Sequence, residues 1–180
     1  MQAPGINEER LRVIDNIRLA LERGDTFSKV ELHDPIVTPD DVKHVILPFD
    51  NLRARRLNRI KAFFARKIGE HLTRKINVNT VIVGLENALG VEGGAILTCN
   101  HFNIVDNTVV RVLAGKCGKA KSFNIVIQQT NVFMRGFFGF LMRNGYTLPV
   151  SDSIRYMARN FKPAVSKLLS RGDFILIYPE

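Results

Sequence analysis

Cysteine is scarce in this 180-residue chain, tryptophan is absent and tyrosine occurs three times. Cys99 and Cys117 are too few for a disulfide framework, and neither stands in a Cys-x-x-Cys spacing that suits zinc or redox chemistry. A reducing compartment is the expectation. No run approaches the ~18 apolar residues of a spanning helix, and residues 1–12 are polar with charges of both signs and no apolar segment of a secretory signal. No Gly-x-Ser-x-Gly elbow is present, so a serine hydrolase of that type lacks its nucleophile. With 46% hydrophobic and 24% charged residues, the composition excludes a disordered or fibrous chain and allows a substantial core.

Charge is present in excess and unevenly placed. The formal net charge is +9. Residues 1–50 hold six basic and ten acidic side chains, residues 51–75 hold nine basic side chains against Glu70 alone, and residues 76–180 hold eleven against six. A field concentrated in one short segment attracts a polyanion, either a phosphate backbone or an anionic lipid surface.

Periodicity predicts a helix over 7–23 stopped by Gly24, then an irregular stretch to residue 50 punctuated by Asp34-Pro35, Pro39-Asp40 and Leu47-Pro48. A basic helix is expected over 51–74. Its Leu57, Ile60, Phe64, Ile68 and Leu72 form one apolar stripe beside Arg55, Arg59, Lys61 and Arg66, with Arg53 and Lys67 intruding. Two readings stand open: an interfacial helix on an anionic bilayer, those four cations making the membrane contact, or a helix packed on the domain with a solvated basic face. From residue 79 short apolar runs alternate with helical stretches, the pattern of an α/β fold with a mostly parallel or mixed sheet. Strands are expected over 81–85, 95–99, 123–127, 146–150 and 174–178. Helices are expected over 103–114, 131–143 and 153–169, the last kinked or broken at Pro163. The organisation expected is a helical and irregular region 1–78 followed by an α/β domain 79–180. The apolar stretch 132–142 reads as buried core, or as an acyl-chain groove given room by Gly136 and Gly139.

The loop after the second expected strand holds Asn100-His101 and, five residues on, Asp106. Ligands of open α/β sheets bind at that edge. With Asn103 as N-cap, Asp106 falls at the third helical position and leans back toward His101, where a carboxylate fixes an imidazole tautomer and stabilises the imidazolium. A capping aspartate and an idle loop histidine is the plain alternative. Cys99 is read as a small core residue, and His101 with Asp106 supplies two ligands at most, so no metal site is expected.

The run Asn100-His101-x4-Asp106 in a strand–loop–helix setting resembles the signature of the glycerolipid acyltransferases, which include 1-acylglycerol-3-phosphate acyltransferases. The ending Phe174-Ile-Leu-Ile-Tyr178-Pro179-Glu180 resembles the start of that family's second block, an aromatic-Pro-Glu-Gly-Thr-x-Ser run, and the resemblance covers the chain from about Val81 onward. It implies acyl transfer from acyl-CoA or acyl carrier protein to a lysophospholipid hydroxyl in phospholipid synthesis. In that reading His101 is the general base, Asp106 its orienting partner and Glu180 a substrate-binding residue, with no cofactor beyond the acyl donor. Where the family carries a phosphate-holding arginine, the stretch from Gly145 ends in Ser151, and Arg155, one helical turn on, is the candidate substitute although Asp152 opposes an anion there. The Gly-Thr-x-Ser that follows the glutamate in the family is missing after Glu180, so the chain reads as truncated, with weak or no activity and a loosely anchored last strand. The expected place is peripheral, on the cytoplasmic face of the membrane. The competing function is a non-enzymatic module gripping anionic lipid or nucleic acid through residues 51–75. Nucleic acid is not expected, because that segment has no interleaved tyrosine or tryptophan platforms.

Overall fold

The computed structural model describes residues 8–25, 30, 32, 35, 37, 38, 40, 41, 56–101 and 105–179. Two compact units divide the chain at residues 36 and 37. In the first, α1 (Glu8–Glu22) has glutamates in its first turn. It ends where Gly24 adopts a φ of 68° and the amides of Gly24 and Asp25 return to the carbonyls of Leu21 and Ala20, the paired bonds of a left-handed helix stop.

The second unit carries α2 (Arg56–Ile76), α3 (Glu86–Leu89), β1 (Ala95–Thr98), α4 (Asp106–Lys116), β2 (Phe123–Gln128), a 3-10 turn (Gln129–Phe133), α5 (Gly136–Asn144), β3 (Thr147–Val150), α6 (Ile154–Tyr156), a π turn (Met157–Phe161), α7 (Lys162–Ser170) and β4 (Phe174–Ile177). The four strands are parallel in the order β1-β4-β2-β3, so the chain is an α/β protein. Parallel strands are covered on both faces and therefore read as continuous apolar runs. One face packs Phe123, Ile125, Ile127, Phe174 and Leu176 against Ala114 of α4 and Val132. The other packs Val126, Leu148 and Ile175 against Phe161 and the apolar side of α7. Pro149, which cannot donate to a ladder, lies in the edge strand β3.

Several elements differ from expectation. Residues 81–85 are not a strand. Val81 and Val83 are 83% and 93% exposed, and Gly84 bends the chain at φ 75° into a turn that leads to α3. The expected helix 131–143 is two pieces, because the chain extends at Met134 and Arg135 and turns at Gly136, whose φ is 67°. Pro163 neither breaks nor ends its helix. The turn just before it widens into the π form, which relieves the clash between the proline ring and the carbonyl four residues back. The expected loose anchoring of β4 is also corrected: β4 pairs with β1 on one side and β2 on the other, and Ile175 and Leu176 are fully buried. α2 belongs to the same compact unit as the sheet and packs on α4 and α5, whereas the sequence placed a division after residue 78. Among the described residues no helix is long and apolar enough to cross a membrane.

Candidate active site at the carboxyl edge of the sheet

β1 delivers the chain through Thr98 to Cys99, Asn100 and His101, and α4 begins at Asp106. Asp106 is thus the first helical residue behind an N-cap at Val105. This corrects the third-position placement; Asn103, the expected cap, lies outside the described residues. The geometric consequence survives, since a first-turn carboxylate still faces the loop before it, near the positive end of the helix. Nδ1 of His101 stands 3.5 Å from Oδ2 of Asp106, with the two side chains 40% and 27% exposed. The pair is open to solvent on one side and leaves Nε2 as the nitrogen turned from the carboxylate.

Strand pairing adds a third residue. Thr98 of β1 lies beside Ile177 of β4, so the residues that follow each strand are neighbours. Tyr178 stacks on the His101 imidazole at a centroid distance of 4.1 Å and an interplanar angle of 16°. Its hydroxyl is buried without a hydrogen-bonding nitrogen or oxygen. Burial first, then the Cys99 thiol and the Asp106 carboxylate, raise the phenol above its ordinary range and hold it protonated. Stacking fixes the plane of the imidazole while Asp106 fixes its rotation. Sequence reasoning left Tyr178 as a strand residue, because its proximity to His101 follows from the pairing of β1 with β4 and from no local pattern. Cys99 packs partly buried against the core on one face of the sheet.

The remaining sequence candidates are dispersed. Arg155 is exposed in α6 after β3, and β3 lies three strand spacings from β1, ~14 Å across the sheet. Arg59 and Lys61 are exposed on α2. Arg66 is turned inward: its guanidinium donates to the Tyr146 hydroxyl at 3.3 Å, lies 5.5 Å over that ring and stands 3.8 Å from Glu70. Its charge is therefore engaged within the second unit. Glu180 and Arg55 lie outside the described residues. Among the described residues no three His, Cys, Asp or Glu side chains gather as metal ligands would.

A family model described as Acyltransferase matches residues 71–180. The chain belongs to the acyltransferase family. No curated protein and no solved structure matches it. The matched segment starts within α2, ahead of Val81, and takes in all four strands with His101, Asp106 and Tyr178. Membership makes this acyltransferase an enzyme of acyl transfer, which requires an acyl donor and an acceptor.

Proposed function

We propose that this acyltransferase moves a fatty acyl group from a thioester, acyl-CoA or acyl carrier protein, to the hydroxyl of a lysophospholipid in phospholipid synthesis, with 1-acylglycerol-3-phosphate as the default acceptor. The observation that carries the proposal is the 3.5 Å approach of His101 to Asp106 at the carboxyl edge of a parallel sheet. Nε2 takes the acceptor's hydroxyl proton as the oxygen attacks the thioester carbonyl carbon. A C–O bond forms, the C–S bond breaks, and the proton passes from the imidazolium to the departing thiolate. Asp106 stabilises the imidazolium between those steps, and no acyl-enzyme is formed. Tyr178 keeps the ring in its plane.

The acceptor and donor are amphiphiles, and α2 offers a surface suited to a bilayer. Leu57, Ile60, Phe63 and Phe64 are exposed together with Arg59 and Lys61, a combination in which apolar groups enter the interface and cations meet anionic headgroups, each worth ~1 kcal/mol near such a surface. The enzyme accordingly works peripherally, on the cytoplasmic face of the membrane.

An acylation assay with thioester donors and a panel of lysolipids tests the chemistry. His101→Ala and Asp106→Asn should each lower turnover by ~10²-fold or more while vesicle binding stays at the parental level. Parental turnover in both variants sinks the general-base reading.

A further inference from the structure

The amino ends of β2, β3 and β4 border a cavity of about 730 Å³ at the opposite edge of the sheet from His101. Six cations line it: Arg59, Lys61 and Arg66 from α2, Lys121 before β2, Arg143 at the end of α5 and Arg171 before β4. Asp173 is the single carboxylate in the lining, and its charge is already engaged. Its buried Oδ2 accepts from Asn124 at 3.1 Å and faces Arg171 at 3.4 Å. Arg143 donates to the carbonyls of Val132 and Met134, and Arg66 to Tyr146. Among the described residues Arg59, Lys61 and Lys121 have no ion pair or hydrogen bond through their charged groups.

Cations gathered on one concave wall repel each other until an anion bridges them. Guanidinium forks match phosphoryl oxygens in pairs, and ammonium groups add point charge. The volume falls in the ~300–1,000 Å³ range of small-molecule sites. Phe63, half-exposed on the rim, joins the cavity to the apolar face of α2. We propose that this cavity binds a phosphorylated ligand carrying two or more adjacent negative charges, a phosphomonoester or a diphosphate. The site is separate from the His101–Asp106 pair and does not depend on the acyl-transfer chemistry.

Calorimetric titration of the full chain with pyrophosphate tests it. Saturable binding is expected, weaker at higher ionic strength. Lys121→Glu and Lys61→Glu should each lower the affinity ~10-fold or more, while His101→Ala leaves it unchanged. Lys162→Glu, the same charge reversal on exposed α7 away from the cavity, should also leave it near the parental value, and thermal melting checks that each variant folds. Absence of saturable binding, or an equal loss in Lys162→Glu, overturns the proposal. Vesicles identify the source of the phosphate. If pyrophosphate competes with binding to phosphatidate vesicles, the ligand is a lipid headgroup. If pyrophosphate binds and phosphatidate vesicles bind no better than phosphatidylcholine ones, it is a soluble phosphate ester.

Discussion

The phenol of Tyr178 favours the folded chain only while it keeps its proton. Unfolded, the group titrates near 10.0; folded, burial and two acidic neighbours raise it further. The folded chain therefore binds more protons than the unfolded one above that pH, and stability falls as pH rises through the interval. The contribution is complete below about pH 10 and lost above it. Chemical denaturation from pH 8 to 11 should show this decline, and Tyr178→Phe should flatten it while costing no more than ~1 kcal/mol at neutral pH, because the hydroxyl has at most the weak Cys99 thiol as a partner. Gly94 supplies a second residue-scale test. A Cβ there would stand 2.7 Å from Cα of Leu169 and closer still to its carbonyl oxygen, so Gly94→Ala should destabilise by ~1–3 kcal/mol in urea titrations. The approach of His101 to Asp106 was legible in the sequence because the two stand five residues apart across one strand–helix loop. Tyr178 was not, since strand pairing alone brings it to them.

At the scale of elements, α2 divides its side chains between packing and exposure. The sequence marks Leu57, Ile60 and Phe64 as the face to be buried or inserted; all three are exposed, and the residues of α2 that are buried are small. Ala65 is 1% exposed and Thr73 is buried, whereas Phe64 is 56% exposed. Small residues permit close approach to α4 and α5, and that preference is invisible to a count of large apolar groups. Ala65→Leu should then cost ~1–3 kcal/mol through overpacking. Phe64→Ser should change stability by less than ~0.5 kcal/mol while weakening association with anionic vesicles. Within α2, Glu70 stands 3.2 Å from Lys67 and 3.8 Å from Arg66. It also supports Arg111 of α4, whose guanidinium is lowered from its ordinary value by burial, raised by Glu70 and lowered by Arg66. Glu70→Gln should leave two half-buried arginines without a counter-charge and cost ~1–3 kcal/mol by denaturant titration. The strands β1, β2, β3 and β4 were legible because each is a short, mostly apolar run, interrupted within β2 by Asn124. The exposed run at 81–85 has the same composition and no partner, which composition alone does not reveal.

For the whole molecule, the net charge is +9, and six cations, the exposed Arg59 and Lys61 of α2 among them, gather in the cavity at the amino edge of the sheet. Vesicle association should therefore fall as sodium chloride rises from 0.1 to 0.5 M, which sedimentation measures, and neutral vesicles should show little of that dependence. The cavity was not legible in the sequence, because its six cations come from segments scattered between residues 59 and 171.

The strand order has a consequence for synthesis. During translation Ala95 emerges long before Phe174, its partner in the register, and β2 is likewise left with an open side that only β4 fills. Until that late strand leaves the ribosome, the nascent chain holds two unsatisfied backbone ladders and an apolar slot between them, a state that invites chaperones and self-association. Nascent chains stalled before Asp173 should remain open to protease, and release of the next few residues should close them.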